Sequence, residues 1–162
     1  MQMSNKSETG FTLIELVMVI VLIGIMSYGA ASLFASRDAY SGFIAKDQLI
    51  SSALLAQQVA LGMSATPNPV SLSVGIDGSD QWAFVLTKVG EPAITVTQDP
   101  SGSSLVIDGV TITTGSSQLF TWDSNANLSS GNNHEVRFVG DTTYRVCFSS
   151  AGYAYESTVA CP

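Results

Sequence analysis

The chain opens on a largely polar stretch of ten residues, MQMSNKSETG, and then turns apolar: from Leu16 to Ser36 no side chain carries a charge. A helix rises about 1.5 Å per residue and a bilayer's hydrocarbon core is about 30 Å thick, so roughly 20 such residues span it. The densest part, Leu16 to Ile23, lacks the polar face that a core helix of a small domain keeps. A membrane-crossing helix is therefore expected over residues 11–36. Arg37 and Asp38 mark the return to water, after which Phe43, Ile50, Leu54 and Leu61 recur at spacings of seven, four and seven, the stripe of an amphipathic helix. Lys46, Asp47, Gln57 and Gln58 are assigned to its polar surface, and Pro67 and Pro69 end it after about Met63. The expectation is one long helix, half membrane and half domain (37–63), whose stripe packs on a sheet.

From Val70 the pattern shortens into β-rich runs: Val70–Ile76, Trp82–Thr87, Ala93–Thr97, Leu105–Thr113, Leu119–Trp122, Glu135–Val139, Tyr144–Phe148 and Tyr153–Val159. Asp77-Gly78, Asp99-Pro100, Ser101-Gly102 and Asp108-Gly109 break them at hairpin-like intervals. Alternation over Glu135-Val136-Arg137-Phe138-Val139 gives that strand one wet and one packed face. The fold class expected is α+β: a long N-terminal helix packed on an antiparallel, β-rich head over 64–162, with residues 1–10 set apart as a leader.

Composition sharpens this picture. With 12% charged and 46% hydrophobic residues the chain departs from ordinary soluble usage, and its net charge of −7 repels a nucleic-acid backbone. The two cysteines, Cys147 and Cys161, lie beyond a segment that would export them, where they form a disulfide or remain two buried thiols.

The most informative stretch is Gly10-Phe11-Thr12-Leu13-Ile14-Glu15-Leu16, where a glycine closes the leader and one carboxylate interrupts the apolar run. An acid deep in a membrane helix costs roughly 2.5–3.5 kcal/mol, so it has a partner or a function. In a first helical turn it instead gains about 0.3–1 kcal/mol from the helix dipole. The stretch resembles the junction of type IV prepilins and type II secretion pseudopilins, with a short polar leader, G-F-T-L-[IV]-E and an apolar helix, over roughly residues 1–36. The resemblance implies cleavage by a prepilin peptidase between Gly10 and Phe11, methylation of the new Phe11 amine, and a role in assembly for Glu15, which attracts the Phe11 amine of a neighbouring subunit. The leader departs from the family in holding only Lys6 as a basic side chain, offset by Glu8. Ser32 stands where many type IV pilins carry a kinking proline, although Gly24 and Gly29 could loosen the helix. A secretory signal peptide over residues 1–35 competes, with small residues at Gly29, Ala31 and Ala35, but its n-region is barely basic, Glu15 interrupts the start of the apolar block, and that block is longer than an ordinary signal's.

The run W-D-S-N-A-N-L-S-S-G before two strands and the later G-Y-A-Y look like the minor-pilin and minor-pseudopilin branch. A C-terminal disulfide is similar to what many type IV pilins carry. The resemblance implies a non-enzymatic structural subunit, a minor pilin, with the mannose-sensitive haemagglutinin type as a home; a minor pseudopilin of a type II secretion system is the alternative. Expected partners are other pilin subunits, the prepilin peptidase and an inner-membrane assembly platform. The expected location is the bacterial inner membrane as a single-pass precursor, then a periplasmic or extracellular filament.

Other chemistry is weaker. Asp123-Ser124-Asn125-Ala126-Asn127 has alternating oxygen ligands, but a calcium loop would want Gly at Leu128 and a carboxylate at His134, so a solvated Asx turn is expected. His134, the single histidine, is assigned to a surface loop, and Asp77, Asp80 and Asp99 to turns. No catalytic residues, metal ligands or cofactors are expected. Trp82, Trp122, Tyr153 and Tyr155 offer an adhesive patch or, as strand aromatics more commonly do, core.

Overall fold

The structure, a computed structural model, describes residues 12–33, 37–63 and 70–162. The leader with Gly10 and Phe11, and the two prolines at 67 and 69, lie outside the described residues. Two compact units divide the chain, 1–36 and 37–162.

The first unit contributes α1 (Leu13–Leu33), which runs unbroken past Gly24 and Gly29. Every large apolar residue from Leu13 to Met26 is 44–80% exposed, so no face of this described stretch is buried. The second unit begins with α2 (Arg37–Leu61). The single long helix expected from the sequence is thus described as two, with residues 34–36 between them outside the described set. At the end of α2 the N–H of Gly62 reaches the carbonyls of both Gln58 and Val59 at 3.2 Å, and Met63 bonds Ala60, tightening the last turn.

Nine strands follow, in two antiparallel sheets among the described residues. β1 (Val70–Ile76), β2 (Trp82–Thr87), β3 (Ile94–Gln98) and β6 (Ser117–Trp122) form one, in the order β3-β2-β1-β6. β4 (Ser104–Ile107), β5 (Val110–Thr111), β7 (His134–Val139), β8 (Thr143–Phe148) and β9 (Ala154–Glu156) form the other, in the order β5-β4-β7-β8-β9. The run expected as one strand from Leu105 to Thr113 is cut by its own turn signal. Asp108 (φ 50°) and Gly109 (φ 81°) take positive φ in succession, as a two-residue type I′ hairpin requires, and Ile107 pairs with Val110.

The inner faces of the two sheets meet through aromatic rings. Trp82 lies 4.9 Å from Phe138, and Phe120 stacks on Phe148 at 4.6 Å with planes 2° apart. Trp82 and Trp122 are fully buried, which assigns both to the core rather than to an adhesive patch.

α2 packs against strands of both sheets. Its buried face is Ala45, Leu49, Ala53, Ala56 and Ala60, at helical spacings of four, four, three and four. This corrects the stripe expected from the sequence: Phe43 is 44%, Leu54 40% and Leu61 63% exposed, and Ile50 is only partly buried. The rings beneath the helix already fill the volume, so only small side chains let it approach closely, and the larger ones are displaced to its flanks. Lys46, expected on the polar surface, is buried.

Candidate functional site

Two places carry the side chains singled out by the sequence: the start of α1 and a set of polar clusters on the head. Thr12 caps α1. The N–H of Glu15 bonds the Thr12 carbonyl at 3.1 Å and approaches its Oγ1 at 3.4 Å, while Leu16 N–H bonds the same carbonyl at 3.2 Å. Thr12-Leu13-Ile14-Glu15 is the T-x-x-E spacing of a capping box, with the carboxylate in the first turn, where the helix dipole favours it. Thr12 was not singled out by the sequence reasoning, although that spacing marks it. Glu15 is exposed and stands in the first turn of an otherwise apolar stretch of helix.

Among the described residues no helix is long and apolar enough to cross a membrane. The described side chains of this segment run from Thr12 to Ser27, so both ends of the span expected over 11–36 lie outside them.

On the head, Lys46 ties α2 to the second sheet. Its Nζ lies 2.8 Å from Glu156 Oε2 and 3.3 Å from Asp47 Oδ1, and sits 4.5 Å from the centre of the Phe43 ring. Burial works to lower the lysine's pKa, but the hydrogen bonds and charges of Glu156 and Asp47 outweigh it and hold the ammonium above its ordinary range.

Cys147 and Cys161 are joined in a disulfide, with their Cα atoms 5.7 Å apart, fastening the C-terminal segment to β8. Glu135, beside Cys147 in the register, accepts the Cys161 N–H at 3.3 Å. It also offsets the like charges of Arg137 and Arg145, which face each other across β7 and β8. Its Oε1 is 3.0 Å from Arg137 Nε, an ionic contact whose N–H is not aligned for a hydrogen bond.

His134 opens β7 and is largely buried, which corrects its assignment to a surface loop. Its Nδ1 lies 2.6 Å from Asp108 Oδ2, its Nε2 2.9 Å from Ser130 Oγ, and its ring meets Phe120 edge-on at 5.4 Å. Hydroxyl, imidazole and carboxylate stand in the order of a nucleophilic relay. The surrounding donors are spent on structure, however. Gly131 N–H bonds Leu128, Glu135 N–H bonds Asp108 Oδ1, and Asn132 N–H points at Ser130 Oγ itself. The cluster pins the β4–β5 turn and the loop ahead of β7 onto β7.

The Asp123 loop turns its carboxylate on its own backbone: Oδ1 accepts the N–H groups of Asn125 and Asn127, both at 2.9 Å. That is an Asx turn, anchored where Trp122 Nε1 donates to Gly152 O at 2.7 Å. Among the described residues no group of three or more His, Cys, Asp or Glu side chains could hold a metal ion. Tyr153 is half exposed, with its ring 5.6 Å from that of Tyr155.

No curated protein and no solved structure matches the chain. Residues 5–31 match one protein family, the prokaryotic N-terminal methylation motif. That match covers the capped start of α1 and most of its apolar length, and it supports a pilin-like or pseudopilin-like protein of the type IV pilin superfamily, with the processing by a prepilin peptidase and assembly with other pilin subunits that such a motif implies.

Proposed function

We propose that this chain is a structural subunit of a type IV pilus, of the minor class. The observation that carries the reading is the methylation motif over residues 5–31 set on a helix whose described surface is apolar on every side. Proteins with this motif are structural subunits rather than enzymes. Lateral packing of α1 against neighbouring helices would exchange lipid contacts for close protein packing and keep that apolar surface out of water in the filament as in the membrane.

In this reading the precursor waits in the bacterial inner membrane through residues 11–36, is cut after Gly10, is methylated on Phe11, and is drawn into the filament by the assembly platform. The head then lies in the periplasm or outside the cell. Glu15 would meet the Phe11 amine of a neighbouring subunit, and a one-residue slip would leave both charges unpaired in a low-dielectric setting. The Cys147–Cys161 disulfide favours a pilus over a secretion pseudopilus, and the mannose-sensitive haemagglutinin type is the home we propose for it.

The deciding experiment is the intact mass and N-terminal sequence of the native protein with and without the prepilin peptidase. A methylated Phe11 start that depends on the peptidase is expected, and a Met1 start in its presence overturns the reading. Glu15→Ala should abolish filament incorporation while leaving cleavage intact, checked by fractionating sheared filaments from membranes.

A further inference from the structure

By register, Ile94 belongs to the packed face of the first sheet: it sits opposite Leu86, which is 6% exposed, yet Ile94 itself is 53% exposed. Val96, opposite the buried Phe84, points the same way. The cause lies at the sheet's edge. Among the described residues β3 pairs only with β2, leaving its outer row of backbone groups without a strand. Above it α2 overhangs, and Phe43, Ile44 and Leu55 meet Ile94 and Val96 around a groove of about 420 Å³. Phe43, Ile44 and Leu55 are each 38–44% exposed. The groove wall also holds Gln48, whose Oε1 is buried without a hydrogen-bond donor. The inner face of β3 is therefore open, with Phe43, Ile44, Leu55, Ile94 and Val96 as its apolar walls beside the polar Asp47, Ser51 and Ser52, a free sheet edge and an orphan acceptor.

We propose that this opening receives an extended segment of a neighbouring pilin-type subunit, which adds beside β3 and places an apolar side chain between Ile94 and Phe43. This rests on the reading of the chain as an assembled subunit. Two observations favour that occupant. The methylation motif implies assembly with other pilin subunits, and α2 follows the assembly helix after only three residues of chain, so assembly through α1 brings neighbours to the element that walls the groove. Strand addition also uses what the site offers: backbone groups for the ladder, an alternating apolar face for the groove, and an N–H for Gln48 once its side chain turns.

The test uses the full chain in native filaments, with photoreactive p-benzoylphenylalanine in place of Ile94 in one strain and in place of Val19 in another. Crosslinked peptides are identified by mass spectrometry after irradiation. Crosslinks from both positions to a pilin-type subunit, with the Ile94 partner in a strand-forming segment, are the expected result. Intersubunit crosslinks from Val19 alone, with Ile94 reaching only its own chain, lipid, an unrelated protein or nothing, overturn the docking proposal and leave the subunit reading standing. Absence of intersubunit crosslinks from both positions overturns both. As a second readout, Ile94→Asp should lower incorporation into filaments about tenfold. Its near-UV circular dichroism should stay unchanged, because the site is exposed in the single chain; full incorporation of that variant overturns the proposal.

Discussion

Single residues fix the geometry of the head at a few crowded points. Gly152 takes φ 86°, its carbonyl accepts Trp122 Nε1, and a Cβ built on it would fall 1.8 Å from the Ala126 carbonyl oxygen. Gly152→Ala should therefore destabilise the head by about 3 kcal/mol or more, combining left-handed strain with overpacking, and urea unfolding measures it. Lys46 makes a different kind of prediction. Its pKa is raised in the fold, so its ion pairs contribute stability below the ordinary lysine value of 10.5 and lose it as pH climbs through the higher folded value. Comparing urea midpoints at about pH 9 and about pH 11, Lys46→Met should show a smaller alkaline loss than the parent. At neutral pH the same change should fall within about 1 kcal/mol, because Glu156 and Asp47 are half exposed and regain water.

At the level of elements, strands were more legible than helix faces. β1 and β2 match their expected limits, because alternation and flanking turn residues report a two-residue period directly. The packed face of α2 was misread because the apolar-stripe rule favours large side chains, whereas this helix buries alanines and leaves Phe43 and Leu54 outside. Ala53→Leu should cost about 1–3 kcal/mol, and Leu54→Gln less than about 0.5 kcal/mol in the isolated subunit. Thermal melts of the two variants side by side decide whether the corrected face holds. The polar clusters were illegible for another reason. Asp108, Ser130 and His134 come together only when the β4–β5 turn, the loop ahead of β7 and the first residue of β7 converge, and no sequence spacing encodes that meeting.

For the molecule as a whole, the N-terminal motif was readable because its chemistry is local: cap, carboxylate and apolar run are adjacent in sequence. The two-sheet architecture was not, since nothing in a list of strands says which edges stay open. The C-terminal segment is held by a covalent and a polar tie at once, the disulfide to β8 and the Cys161 N–H to Glu135. Closing a loop of this size contributes about 3 kcal/mol in the chain-entropy model. Cys161→Ser should lower unfolding stability by about 2–3 kcal/mol, and reduction of the parent by dithiothreitol should produce a similar drop in a urea titration.

The buried ammonium of Lys46 has a practical consequence for anyone handling the protein. The chain has three lysines, and removal of the leader would take Lys6 with it, leaving Lys46 and Lys88. Lys88 stands partly exposed beside Glu91, whereas only 6% of the Lys46 side chain meets solvent. An amine-reactive dye should therefore label Lys88 quickly and reach Lys46 only when α2 lifts from the sheets, making the slow phase of acylation a clock for the opening of the head.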